Sequence, residues 1–242
     1  MFHPRGPSLR ELVQQALSST EHGYDLLAPK FDLTPFRTPE PVLRAAADVV
    51  RRDAAPIEVA LDLCTGTGAA LWHLRSLATS RAIGVDVSRG MLAEAERRMA
   101  HAPGTARVEL VRSDALELPF EGELDLVTCF GAFGHILAED EDRFVRGIAR
   151  ALRPAGRFVF ATSERPSLRS PWWWVARGFN AAMRVRNAVL TPPFVMYYLT
   201  FLWPDVRPML ERHGFEVTLH RNVCPPPFTP VLVVSAKLRR SR

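Results

Sequence analysis

The segment Asp62-Leu63-Cys64-Thr65-Gly66-Thr67-Gly68 sets two glycines two residues apart, between an apolar run and a helical pattern. Glycine has no Cβ, so backbone at such a turn can approach a ligand closely. Twenty residues beyond Gly66, Asp86 ends a second apolar run, where a carboxylate can accept both hydroxyl protons of a ribose. Asp62 stands at the entrance to the glycine turn, where a carboxylate repels a pyrophosphate but attracts a ligand ammonium group. Asp114 follows a third apolar run and is suited to the exocyclic amine of adenine. Each feature has a plainer reading: Gly-x-Gly as a tight turn, Asp86 and Asp114 as caps of the helices that follow. An NAD site also begins this way, but the third glycine of that fingerprint would fall at Leu71, whose side chain would crowd a pyrophosphate. Together these residues favour a ligand with adenine, ribose and a zwitterionic amino acid over a dinucleotide.

Regular elements must position these groups. Ser8 and Glu11 have capping-box spacing, and apolar residues recur at helical spacing over 8–18. An irregular stretch is expected from there to Thr38. Thr38 as N-cap with Pro39 at the first helical position then predicts a helix to about Asp53. Short apolar runs at 57–63, 82–86, 107–111, 124–129 and 157–161 read as buried strands, with helical patterns at 68–78, 88–100 and 140–152 between most of them. That order implies parallel strands with helices on both faces. The alternation breaks at 163–204, a segment rich in aromatics and proline. A helix at 205–213 ending at Gly214 and strands at 215–221 and 230–238 complete the chain.

The 242 residues leave room for one large domain with an appendage. The formal charge of +5 invites a nucleic-acid partner, yet Lys30 and Lys237 are the only lysines, and such an Arg and Ala bias also follows from GC-rich coding. The surplus is local. Residues 163–204 hold five Arg and one Glu, and the tail holds Lys237, Arg239, Arg240 and Arg242. Cys64, Cys129 and Cys224 lie far apart with no C-x-x-C pair, so neither a metal site nor a disulfide framework is expected. No signal-like run opens the chain and no stretch reaches the ~18 apolar residues of a spanning helix, which predicts a cytoplasmic protein.

Over residues 20–238 the chain resembles the class I S-adenosylmethionine-dependent methyltransferases. The resemblance rests on Leu61 to Gly68, Gly84 to Leu92, Ser113 to Phe120, Asp125 to Phe130 and Ala151 to Phe158, five motifs in the family's order. One departure is Cys64, where many relatives carry a first glycine. The resemblance implies an α/β fold, a doubly wound, Rossmann-like, seven-stranded and mostly parallel sheet with an antiparallel last strand and helices on both faces. It implies S-adenosylmethionine as cofactor and divides the chain into an N-terminal helical cap (1–56), a cofactor core (57–162), an inserted lid (163–204) and a C-terminal helix and strand pair (205–242). Asp62, Gly66 and Gly68, with Cys64 and Thr65 in the same turn, would hold the methionine end. Asp86 would take the ribose, Val87 and Met91 the adenine faces, Asp114 and Ala115 its edge, and Phe130 would lie along the cofactor. Tyr24-Asp25 and Phe31-Asp32 are similar to a paired aromatic-Asp segment that closes the cofactor site in small-molecule members; they serve equally as a staple for the N-terminal helix.

A sulfonium methyl is already activated, so alignment of the nucleophile can supply roughly 7 to 11 kcal/mol of the barrier. No catalytic triad is expected. His135, in Gly131-Ala132-Phe133-Gly134-His135, is the candidate base, facing the cofactor crevice in the resembling family; the alternative is a histidine that orients its loop. Acceptor choice is expected in 163–204, where Trp172, Trp173, Trp174, Tyr197, Tyr198 and Trp203 mix with arginines. This composition suits a pocket for a small apolar or aromatic acceptor or a lid resting on a membrane surface, and equally core packing or a homodimer interface. An RNA acceptor, its bases stacked on Arg and Trp, is a further alternative, though no RNA-binding module or Lys-rich patch accompanies the segment.

Overall fold

The computed structural model describes residues 3–53 and 55–240; Arg242 of the basic tail lies outside them. Seven strands form one sheet in the order β3-β2-β1-β4-β5-β7-β6. They are β1 Val59–Leu63, β2 Arg81–Asp86, β3 Arg107–Arg112, β4 Leu124–Cys129, β5 Leu152–Thr162, β6 Phe215–His220 and β7 Leu232–Leu238. Strand β7 runs antiparallel to both β5 and β6, and the remaining pairs are parallel. This is the doubly wound, mostly parallel sheet expected, with the last strand reversed.

Alternation along each strand makes two cores. Val59, Leu61 and Leu63 of β1 pack with Phe144 and Ile148 of α6 (Glu141–Ala151) and Leu210 of α8 (Trp203–Arg212). Ala60 between them faces Val49 of α3 (Glu40–Arg52), Leu71 and Leu74 of α4 (Ala69–Leu77) and Met99 of α5 (Arg89–Met99). Leu71 fills the space between α4 and the sheet so closely that a Cβ on Gly84 would sit 2.9 Å from it. Gly214 takes φ +85 just beyond α8, the left-handed C′ position.

The structure departs from expectation in three places. Residues 20–33 are not irregular: they form α2 (Thr20–Leu27) and a 3₁₀ turn (Ala28–Leu33). This segment buries too few apolar residues to show a period. Capping and docking hold it instead: the Ser19 hydroxyl accepts from His22 N at 3.1 Å, and Asp25 reaches across to α5. Helix α3 begins one residue later than predicted, with Pro39 as an extended N-cap and Pro41 inside the first turn. The 163–204 segment likewise contains a 19-residue helix, α7 (Pro171–Val189), that its composition did not announce. After α7 the chain returns to the core. Tyr197 N donates to Gly134 O at 2.8 Å, and Phe201 stacks on Phe133 with centroids 4.2 Å apart.

Candidate active site

Strand β1 ends at Leu63, and three alternate residues beyond it, Cys64, Gly66 and Gly68, take positive φ of 55°, 53° and 79°. The turn they make carries the chain from the strand into α4. A Cβ on Gly66 would meet no protein atom within 4 Å, because that glycine faces an open cavity. Cys64 adopts a conformation that costs an L-residue about 1 kcal/mol, which explains why glycine is commoner there. Of the sequence-predicted residues, all but Gly68 line this cavity of about 280 Å³. Gly68 instead starts α4, with a Cβ there lying 3.2 Å from the Ala95 methyl. Its lack of a Cβ serves the close packing of α4 on α5, and its neighbours Thr67 and Ala69 line the cavity.

Asp86 ends β2 with both oxygens already oriented. Oδ2 accepts from Gly66 N at 2.8 Å and Oδ1 from Ser88 N at 2.9 Å. Each oxygen keeps a further lone pair. Burial raises the carboxyl's pKa, and backbone donors, those of Ser88 and Gly66 foremost, oppose that shift. A pinned carboxylate in a cavity wall fits a vicinal diol.

Asp62 is nearly inaccessible and accepts from Thr65 Oγ1 at 2.7 Å and Thr128 Oγ1 at 2.8 Å. Thr128 was not singled out by the sequence; it sits opposite Asp62 in the β1–β4 register. Burial is the largest influence and pushes the Asp62 pKa up to about 6, with no cation among its neighbours to oppose it. A buried carboxyl that lines a cavity and lacks a cation is the complement of a ligand ammonium. The shift has a sign that can be tested. The folded chain holds this proton up to about pH 6, whereas an unfolded aspartate releases it near 3.9. Stability is therefore expected to fall as pH rises between those values, by about 3 kcal/mol for the full shift. Chemical denaturation across this range checks it: Asp62→Asn should flatten the slope, and an identical slope would assign it to other groups.

The remaining wall comes from three sources. Val87, Met91, Asp114, Ala115 and Phe130 follow the carboxyl ends of β2, β3 and β4, where open α/β sheets place ligands. Asp114 is exposed, and its Oδ1 accepts from Leu116 N at 2.9 Å. Tyr24, Phe31, Asp32 and Arg37 enter from the N-terminal segment, and Val195 from the insertion. Arg37 and Val195 carry no sequence signal, since neither lies in a motif or an apolar period. Of the two aromatic-Asp pairs, Asp25 turns away and caps α5 through Ser88 Oγ (2.6 Å) and Gly90 N (2.8 Å). Asp32 accepts from Thr67 Oγ1 at 2.7 Å and pairs with Arg98. Both aspartates tie the N-terminal segment down over the cavity.

His135 closes a 3₁₀ turn (Phe133–His135) after β4. Its Nδ1 lies 2.6 Å from the Val195 carbonyl oxygen, an acceptor only, so Nδ1 carries the hydrogen and Nε2 has the lone pair. The Tyr24 hydroxyl donates to that Nε2 at 2.8 Å. Burial lowers the His135 pKa, and burial with the nearby Asp86 raises that of Tyr24 far above its usual range. The pair is therefore neutral at rest. A second cavity of about 390 Å³ shares Tyr24, Phe36, Gly131 and His135 with the first, and adds Trp172 and Tyr198 from the insertion. The Tyr24–His135 pair stands in the wall common to both.

Comparison with known proteins bears on the fold and the family. A family described as a methyltransferase domain matches residues 60–156, the span from β1 into β5. The chain is 32% identical over 186 residues to a demethylmenaquinone methyltransferase of Clavibacter sepedonicus, covering 71% of this chain and 72% of that one. It is 30% identical over 216 residues to the enzyme of the same name from Mycolicibacterium gilvum, covering 83% and 87%. In fold it is similar to magnesium protoporphyrin IX methyltransferase from Synechocystis PCC 6803, solved with bound SAH, with a TM-score of 0.60, 16% identity and 82% of each chain covered. By sheet order, by sequence and by the extent of these matches, the chain belongs to the class I S-adenosylmethionine-dependent methyltransferases.

Proposed function

We propose that the chain methylates a small, planar, apolar acceptor of the hydroxylated-ring class, a reduced quinone or a close relative, at a ring carbon. The single observation that carries this reading is the second cavity, aromatic-walled and meeting the cofactor cavity at Tyr24 and His135. The relatives' names point to the same class of acceptor.

Bound S-adenosylmethionine supplies a methyl group on a positively charged sulfur. Asp62 would hold the cofactor's ammonium group and Asp86 its ribose hydroxyls, Asp114 would take the adenine amine, and Val87 and Met91 would hold the adenine ring. Phe130 and Tyr24 keep water from the space between the two cavities. The Tyr24 oxygen, having donated its proton to His135, still has lone pairs for an acceptor hydroxyl. A proton leaving that hydroxyl passes to Tyr24 as the tyrosine's own proton moves to Nε2 of His135, and the Val195 carbonyl steadies the resulting imidazolium. Loss of that proton raises electron density at the neighbouring ring carbon and makes it the nucleophile. Once that carbon carries the methyl group its C–H proton leaves to solvent, the ring becomes aromatic again and the proton held on His135 returns through Tyr24 to the ring oxygen, so one proton is released overall.

The test is a product assay with a short-chain demethylated naphthoquinol. Formation of S-adenosylhomocysteine in step with a ring-methylated product is expected, with none from nucleosides. Cofactor binding by calorimetry without turnover on any quinol or in a metabolite extract would make the chain a binding protein of this fold.

A further inference from the structure

We propose that the outward faces of α7 and α1 (Leu9–Leu17) dock on the surface of an anionic lipid bilayer. That the acceptor is drawn from that bilayer rests on the reading above; the docking itself does not.

Helix α7 has a face that nothing in the chain covers. At 100° per residue, Trp174, Val175, Ala181, Val185, Ala188 and Val189 fall in one sector of about 140°. All six are exposed, Trp174 at 64% and Val189 at 75%, and among the described residues of α7 only Ala176 is fully buried. The Trp174 indole N–H is already satisfied by Leu168 O at 3.0 Å, so its ring has no polar group left to hydrate. Helix α1 presents Leu9, Val13 and Leu17 at four-residue spacing, with Leu9 78% exposed. Arg186 joins the two helices, donating to Ala16 O and Ser18 O at 2.9 Å each. Two helical ends with apolar stripes are thus held side by side.

Charge selects the occupant. Residues 165–204 contain Arg165, Arg169, Arg177, Arg184 and Arg186 and no Asp or Glu. Arg165 is paired with Asp205 and Arg186 donates to main-chain carbonyls, whereas Arg177 and Arg184 have no carboxylate partner among the described residues. Arg177 and Arg184 border the apolar sector on one side, and Arg177 also lies over the Trp173 ring at 5.4 Å. A second copy of this face, related by a two-fold axis, would bring arginines near arginines with no carboxylate from the segment to pair them. Lipid phosphates supply the missing charge, and the acyl boundary takes the Trp and Val side chains. With three arginines inside α7, and no described helix long and apolar enough to cross a membrane, the helix lies in the interface plane. Trp172 connects this face to the chemistry: it is half exposed, touches Tyr198 edge-on at 5.4 Å and lines the second cavity.

Co-sedimentation of the full chain with sucrose-loaded vesicles tests the docking without cofactor or turnover. Binding to vesicles of equal parts phosphatidylglycerol and phosphatidylcholine is expected, with at least tenfold weaker binding to phosphatidylcholine alone. The variant Val185→Glu/Val189→Glu should lose binding, and Arg177→Gln/Arg184→Gln should lose the anionic preference, each with unchanged circular dichroism. Absence of binding to either vesicle overturns the proposal. So does a wild-type dimer in sedimentation velocity that Val185→Glu/Val189→Glu splits, which assigns the face to a second copy. Because vesicle binding is read separately from methyl transfer, a failure here leaves the acceptor assignment standing, and the converse holds too.

Discussion

Asp86→Ala is expected to weaken S-adenosylmethionine binding by about two to four orders of magnitude. Two hydrogen bonds from ribose hydroxyls to a carboxylate are worth about 1.5 to 3 kcal/mol each, and every 1.4 kcal/mol is a decade in affinity. The effect is large because the carboxylate is oriented before the ligand arrives: Gly66 N and Ser88 N hold one oxygen each. For the same reason alanine also releases two backbone donors, so thermal unfolding must be followed alongside calorimetry. Asp86→Asn separates the two effects. It keeps one acceptor oxygen and a similar shape, and should lie between wild type and alanine. Affinity within threefold of wild type in a folded Asp86→Ala chain would remove Asp86 from the ribose site.

The second large effect concerns turnover. His135→Ala should lower kcat on the true acceptor by about a hundredfold or more, the range of a positioned general base, while cofactor affinity changes little. The pH profile carries the distinguishing sign. Burial lowers the His135 pKa from its ordinary value, so the imidazole stays neutral and basic below 6.5, and activity should persist there before falling as the pH drops through the lowered value. Tyr24→Phe keeps the ring against Phe194 and Phe31 but deletes the hydroxyl, and should reproduce most of the loss. If His135→Ala instead lowers the melting temperature with kcat intact, the histidine serves to hold Val195 and the loop, and the base lies elsewhere.

What could be read from the sequence, and what could not, divides along a physical line. Strands buried on both faces show as apolar runs, and a turn that must leave a cavity open shows as Gly66, so the β1–α4 turn and Asp86 were visible directly. The antiparallel sense of β7 came through family resemblance, and its place between β5 and β6 was not read from the sequence, since hydrophobic pattern does not encode strand order. Helix α2 was invisible because a cap at Ser19 and docking by Asp25 hold it, neither of which produces a period. Helix α7 was hidden for the opposite reason: its apolar residues face outward, so a pattern read as burial points the wrong way. At the site, Thr128 reaches Asp62 only through strand register, and Val195 reaches His135 only through the return of the insertion to the core.

That last contact bears on how such a chain can diversify. One imidazole is bonded to Tyr24, 111 residues before it, and to Val195, 60 residues after it. The segment that lines the second cavity therefore also sets the tautomer of His135, and the segment that roofs the first cavity occupies that imidazole's other nitrogen. On the proposed function, acceptor range and proton chemistry are not separable modules. An insertion grafted from a relative has to bring a main-chain carbonyl to the place that of Val195 occupies if this histidine is to keep its tautomer, so residues 194 to 197 constrain how the segment can change.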